Sequence, residues 1–261
     1  MMRLENKGAV VTGGGGGLGR VYALRLAAEG ANVALWDING AGANETAELV
    51  RKTGRIGVGM QVDVASEAQT VAAAKASADA LGRIDIVVNN AGIVRDIHPV
   101  PIEELKLPDW ERIIAVNLTG SFLCNKALVP YLKRSGKGKI INVSSGTALH
   151  GTNIRLDYIC SKAGIIGLTR GLAAELGKYW INVNAIVPGP VPTTLSGLDP
   201  LKTHENKADY YPPEQLYAGR YLMREIMPRD LEGLVAFLAS DESDMITGQL
   251  ITVDGGRVFV G

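Results

Sequence analysis

Apolar runs of strand length recur along the chain at Ala9–Val11, Val33–Leu35, Ile56–Val62, Ile84–Val88, Ile140–Val143, Ile181–Val187 and Leu250–Val253. Between most of them lie helix-length segments. Leu18–Glu29, Ala65–Leu81, Trp110–Leu132 and Tyr158–Leu176 repeat apolar residues three and four apart, the helical period. The strand candidates are apolar nearly throughout and do not alternate with polar residues, which predicts a sheet covered on both faces and built from parallel strands joined by right-handed crossovers. The expectation is an α/β doubly wound parallel sheet of seven strands, with helices on both faces. No linker and no repeat of fixed period divides the chain, so residues 1–261 are expected to form one domain. The rhythm breaks once, from Thr193 to Met227, where charges, Pro212-Pro213 and Tyr210, Tyr211, Tyr217 and Tyr221 replace it. A segment that follows a strand of such a sheet lies at the carboxyl edge, where ligands bind. It is expected to be a substrate lid, with Leu195, Tyr210 and Tyr211 in the pocket wall, and the alternative is a subunit contact or surface decoration.

Composition narrows the function. Lys plus Arg and Asp plus Glu are 27 each, so there is no excess positive charge to attract nucleic acid or an anionic membrane. Cys124 and Cys160 are too few for a disulfide framework, and neither has a neighbour at metal-ligand spacing. The chain runs from Met1 through Arg3, Glu5 and Lys7 into apolar residues without a leader, and a cytoplasmic location is expected. The uncharged stretch Tyr179–Leu198 is long enough to span a membrane, but Asn182, Asn184, Pro188, Pro190 and Pro192 make it a strand and loop instead. His98, His150 and His204 lack ligand spacing, so no metal is expected.

Lys7–Gly19 reads as a strand, a glycine run and a helix start, an arrangement that brings backbone N–H groups and a helix N-terminus against a pyrophosphate. Gly14, Gly16 and Gly19 fit G-x-G-x-x-G, while Thr12-Gly13 with Gly17-Leu18-Gly19 fits T-G-x-x-x-G-x-G. The second strand ends at Asp37, 18 residues beyond Gly19, near the spacing of about 20 at which an acidic residue receives a ribose 2′-hydroxyl. A carboxylate there repels a 2′-phosphate, which favours NAD over NADP, and Ile38 and Gly16 offer no compensating cation. The alternative for Asp37 is a cap on the following turn.

Tyr158 and Lys162, four apart, share one face of a predicted helix. Thirteen residues before the tyrosine, Ser145 closes the strand that ends in Ser144-Ser145. Together with Asp63-Val64, Asn89-Asn90-Ala91-Gly92, Val116-Asn117-Leu118, Pro188-Gly189 with Thr193, Thr247-Gly248-Gln249 and Val253-Asp254-Gly255-Gly256, these pieces closely resemble the short-chain dehydrogenase/reductase family over nearly the whole chain.

The resemblance implies that Tyr158 is the general acid/base and that Ser145 polarises the substrate oxygen. Lys162 would lower the tyrosine pKa and hold the nicotinamide ribose, and Asn117 would anchor a proton-relay water. Cofactor contacts would come from Gly13, Gly17, Leu18, Gly19, Asp37, Asp63, Val64, Asn90, Ala91, Pro188, Gly189, Val191 and Thr193. Substrate contacts are expected from Ser145, Tyr158, His150 and Asn153, and the family suggests a homotetramer. An unassisted tyrosine, with a pKa of roughly 10, is a poor base until positive charge stabilises its phenolate, and Lys162 supplies that charge. The expected activity is hydride transfer between NAD(H) and a small to medium, partly apolar secondary alcohol or ketone. A 3-oxoacyl thioester reductase is the alternative enzyme, since Ile93–Asp96 resembles the acyl-carrier-protein ketoreductases. A non-catalytic dinucleotide-binding regulator is a second alternative.

Overall fold

The computed structural model describes residues 2–94, 99–192 and 219–259. Its seven strands are β1 (Gly8–Thr12), β2 (Asn32–Asp37), β3 (Gly57–Gln61), β4 (Ile86–Asn89), β5 (Gly138–Val143), β6 (Ile181–Pro188) and β7 (Leu250–Val253). They lie in the order β3-β2-β1-β4-β5-β6-β7, and every pairing is parallel. The chain steps outward from β1 to β3 and then crosses to the other side of β1 to lay down β4, so the strand order reverses between β1 and β4. A crevice opens at such a switch point, beyond the strand ends.

The inner strands are mostly apolar because both their faces are covered, whereas β3 and β7 at the edges are only partly buried. Alternate residues point to opposite sides. Val11, Leu35, Val88 and Ile141 pack with residues of α1 (Gly17–Ala28), α2 (Gly40–Arg51) and α7 (Arg229–Ala239). Val10, Ala34, Val87 and Ile140 pack on the other side with α3 (Glu67–Leu81), α5 (Gly120–Ser135) and α6 (Leu156–Leu176).

Three differences from the periodicity reading have physical causes. Helix α2 carries little apolar signal in the sequence because its buried stripe is built mainly of small residues, Gly42, Ala43 and Ala47 among them. Helix α7 lies in the stretch after Met227, for which no helix was expected. The helix expected over Trp110–Leu132 is three pieces, α4 (Leu107–Ile114), a π turn at Ala115–Thr119 and α5. A π turn inserts an extra residue into the helical ladder and often marks a functional position; here it carries Asn117. By length and composition Leu107–Ser135 could cross a membrane, yet half of its most apolar stretch is buried within the fold. Of the expected lid, only residues 219–227 are described.

Candidate active site

Thr12 ends β1 and stitches the switch point together. Its Oγ1 accepts the N–H groups of Asn90 at 3.1 Å and Ala91 at 3.0 Å, while Asn90 Nδ2 donates to the Thr12 carbonyl at 3.1 Å. The chain then turns through Gly13, whose φ of 65° favours glycine. A Cβ there would stand 2.9 Å from Ala91 Cα, so only glycine lets the two strand ends approach. The turn delivers the chain to α1, whose N-terminus has no side-chain cap and no acidic residue in its first turn among the described residues. Its first N–H groups are thereby left for an anion. Beside the turn, Asp37 accepts the Gly15 N–H at 2.8 Å on one oxygen and the Asn39 N–H at 2.8 Å on the other. It does cap the following turn, and it also lines the crevice.

That crevice is a cleft of about 1000 Å³. A dinucleotide suits it on three observations: a turn that tolerates no Cβ, an uncapped helix N-terminus and a carboxylate at the end of β2. Gly13, Leu18, Asp37, Asp63, Val64, Asn90, Ala91, Pro188, Gly189 and Val191 all line it. Gly17 and Gly19 do not; Gly19 packs against the Gly13 carbonyl, where a Cβ would clash. Thr193 lies outside the described residues, as do Leu195, Tyr210 and Tyr211.

Ser145, Tyr158 and Lys162 meet in the same cleft. Tyr158 and Lys162 project from one face of α6, with Lys162 Nζ 5.9 Å from the centre of the tyrosine ring. The Lys162 ammonium donates to the Val143 carbonyl at 3.0 Å, and burial pushes its pKa down from 10.5 to about 8. Ser145 follows β5, and its Oγ accepts from the Thr147 N–H at 3.3 Å and the Thr147 hydroxyl at 3.0 Å. With those two donors on its oxygen, the Ser145 hydroxyl retains its own hydrogen for another acceptor. Ser144, the competing serine, donates to the Lys162 carbonyl at 2.8 Å and is buried. The structure thus separates two adjacent serines by what each hydroxyl already holds.

Asn117 is buried behind Gly92, where its Oδ1 and the Lys162 ammonium lie close to the same glycine. Its Oδ1 accepts the Ile93 N–H at 2.7 Å, and its Nδ2 donates to the Ile93 carbonyl at 3.3 Å and to Ser161 Oγ at 3.2 Å. Its backbone carbonyl accepts from Ser121 Oγ at 3.1 Å. The amide therefore braces the segment after β4 against the helix that bears Tyr158.

His150 and Asn153 line the cleft, joined by Thr147 and Thr152 from the same loop. Arg112, Glu225 and Arg257 line it too, and nothing in their local sequence marks them. Asp157, immediately before the tyrosine, is wholly buried; it accepts from Arg155 Nε at 3.2 Å and from the Tyr158 N–H at 2.7 Å. Beyond β7, Asp254 accepts the N–H groups of Gly256, Arg257 and Val258, fastening the segment that packs under Gly189.

Known proteins are similar to this chain in sequence and fold. A family model described as Enoyl-(Acyl carrier protein) reductase matches residues 13–257. The (2S)-[(R)-hydroxy(phenyl)methyl]succinyl-CoA dehydrogenase subunit BbsD of Thauera aromatica is 35% identical over 261 residues, covering 100% of both chains. The 3-oxoacyl-[acyl-carrier-protein] reductase FabG of Thermotoga maritima is 36% identical over 263 residues, covering 99% of this chain and 100% of its own. Carveol dehydrogenase from Mycobacterium avium, solved in complex with NAD, superposes with a TM-score of 0.89 at 33% identity, covering 98% of this chain and 99% of its own. By sequence, sheet order and the contents of its cleft, the chain belongs to the short-chain dehydrogenase/reductase family of oxidoreductases.

Proposed function

We propose that the chain is an NAD-dependent oxidoreductase that interconverts a secondary alcohol and its ketone, with Tyr158 as general acid/base, in one catalytic domain. The observation that carries this reading is the convergence of Ser145, Tyr158 and Lys162 on the cleft that also holds the glycine turn and Asp37. When bound, the nicotinamide ring supplies the acceptor or donor for hydride at the carbinol carbon. In oxidation Tyr158, as tyrosinate, takes the alcohol proton; in reduction its hydroxyl donates to the oxygen of the developing alkoxide. Lys162 stabilises the tyrosinate by charge, and Ser145 donates its hydrogen to the substrate oxygen. Asn117 anchors the water that leads into the proton relay and also braces Ile93 and Ser161. The loop after Ser145 contributes Thr147, His150, Thr152 and Asn153 together with Ile154 to the wall, which suits a partly apolar substrate with a further hydrogen-bonding group. A cytoplasmic homotetramer belongs to the same reading and is supported by family membership.

A panel of secondary alcohols with NAD, followed by nicotinamide absorbance, tests the proposal. A protein that binds NADH but turns over no alcohol or ketone would be a dinucleotide-binding regulator. The second enzymatic reading, a 3-oxoacyl thioester reductase, is favoured by the Thermotoga relative, and assay with a 3-oxoacyl thioester separates it from the first.

Ser145→Ala is expected to lower turnover by about 100- to 1,000-fold, the effect of removing one donor to a reacting oxygen. Ser144→Ala should keep turnover close to wild type and lose about 1 kcal/mol of stability, because its hydroxyl holds only a backbone carbonyl. Kinetics and urea unfolding of the two variants check the assignment, and the reverse pattern would exchange the serines.

NAD should be used more efficiently than NADP, because the Asp37 carboxylate repels a 2′-phosphate. Asp37→Ala combined with Ile38→Arg should narrow or invert that preference by removing the repulsion and adding a bidentate partner. Asp37 also holds the N–H groups of Gly15 and Asn39, so the double variant should bind either cofactor more weakly than the wild type binds NAD. Comparison of kcat/KM for both cofactors decides; better use of NADP by the unmodified protein would overturn the assignment.

A further inference from the structure

We propose that Arg20, held by Glu45 and Thr46, is a positioning residue for the cofactor: it fixes the Gly15 peptide from behind and thereby presents Asp37 to the adenosine ribose. The proposal rests on the NAD reading and extends it to residues outside the cleft.

A run of five glycines has no side chains with which to hold its own shape, and glycine loses more conformational freedom on ordering than any other residue. The Gly13–Gly17 turn must therefore be held from outside. Gly14 N–H donates to the Trp36 carbonyl at 3.2 Å, and Gly15 N–H donates to Asp37 Oδ2 at 2.8 Å. The Gly15 carbonyl accepts from Arg20 Nη2 at 2.9 Å. Gly15 is thus gripped on its N–H by an anion and on its carbonyl by a cation.

Arg20 is itself held at two nitrogens of its guanidinium. Nε donates to Thr46 Oγ1 at 3.0 Å, and Nη2 also reaches Glu45 Oε2 at 3.0 Å. Both partners belong to α2. Thr46 Oγ1 in turn donates to the Gly42 carbonyl at 3.1 Å, and Gly42 N–H donates to Asn39 Oδ1 at 3.2 Å. A Cβ on Gly42 would lie 2.7 Å from the Gly15 carbonyl oxygen, so a glycine there lets α2 approach the back of the turn. The hydrogen bonds form a closed path: Asp37 to Gly15, Gly15 to Arg20, Arg20 to α2, and α2 through Asn39 back to Asp37.

The path has a consequence for Asp37. Each carboxylate oxygen takes one backbone N–H, which sets the rotation of the group, and the remaining lone pairs are left to receive hydroxyls. Arg20 does not line the cleft, so its charge serves the turn and is offset by Glu45. If Arg20 is lost, Gly15 keeps only its anchor on Asp37, and both shift together. The affected step is binding of the adenosine half, whereas Tyr158 and Lys162 stand on α6, across the cleft.

Arg20→Met keeps most of the aliphatic stem and removes the guanidinium. NADH titration by fluorescence should show a dissociation constant raised about tenfold or more, the effect of losing a charge-assisted hydrogen bond. The turnover number at saturating NADH should stay within about twofold of wild type, since transition-state contacts are untouched. Arg20→Lys should recover part of the affinity, because an ammonium can reach the carbonyl but cannot fork to Thr46 and Glu45. In the free protein, hydrogen exchange should quicken at the amides of residues 13–19 and not across the sheet. A merely structural role for Arg20 predicts exchange raised everywhere and turnover lost in step with affinity. NADH affinity within about twofold of wild type in Arg20→Met, or an unchanged exchange rate at the turn, would overturn the proposal. Absence of NADH binding in the wild type would overturn the NAD reading and this proposal with it.

Discussion

Tyr158→Phe is expected to lose about 100- to 10,000-fold in turnover, the usual contribution of a general acid/base, while it binds NADH as the wild type does. The substitution removes one oxygen from a side chain that is 7% exposed and keeps the ring. The glycine turn, Asp37 and the N-terminus of α1 lie on other elements and keep their hydrogen bonds, so the loss should fall on kcat and spare the dissociation constant. Steady-state kinetics with fluorescence titration of NADH checks both halves. More than half of wild-type turnover at saturating substrate would move the acid/base role elsewhere.

Lys162→Met should also abolish most turnover, by a similar factor of about 100 or more, and unlike Tyr158→Phe it should weaken cofactor binding. The lysine is 4% exposed and burial holds its pKa near 8, below the ordinary 10.5, so its ammonium is present at neutral pH and is lost in mild alkali. Alcohol oxidation should accordingly stop gaining rate as pH passes about 8, because the charge that stabilises the tyrosinate disappears there. The stability consequence has a definite sign. Between about 8 and 10.5 the unfolded chain holds a proton on Lys162 that the folded chain has released, so this group makes the protein more stable as pH rises through that window and contributes no pH dependence well below it. Urea unfolding of wild type and Lys162→Met at neutral and alkaline pH should show the rise only in the wild type. A parallel response in both proteins would contradict the assignment.

Tyr158→Phe and Lys162→Met address residues whose pairing could be read from spacing alone, whereas Arg20 could not. A helix returns to the same face every 3.6 residues, so Tyr158 and Lys162 had to be neighbours once their segment was helical. No local rule joins Arg20 to Thr46 and Glu45, which lie 26 and 25 residues further along the chain on α2. The same division separates the two serines. Spacing pointed to Ser145, but the reason Ser144 is unsuited, its bond to the carbonyl of Lys162, connects residues 18 apart in sequence.

The sequence by itself determined the seven strands and four of the helical segments between them, but not α2, α7 or the π turn at Ala115–Thr119. Largely apolar strands without alternation require cover on both faces, intervening helical segments supply that cover, and chain connectivity then leaves a parallel doubly wound sheet with its crevice at the strand ends. It also determined the local chemistry: a glycine run before a helix, a carboxylate at the end of the second strand, a tyrosine and a lysine one helical turn apart. Only the tertiary structure decided which hydroxyls and amides are already engaged. Thr12 bridges to Asn90 and Ala91, Asn117 braces Ile93 and Ser161, and Asp37 joins the glycine turn to α2. These bonds depend on strand register and helix placement, which arise from packing the whole core. A hydrogen bond needs its donor and acceptor aligned within a few tenths of an ångström, and residues far apart in the chain reach that alignment only after the elements between them have packed.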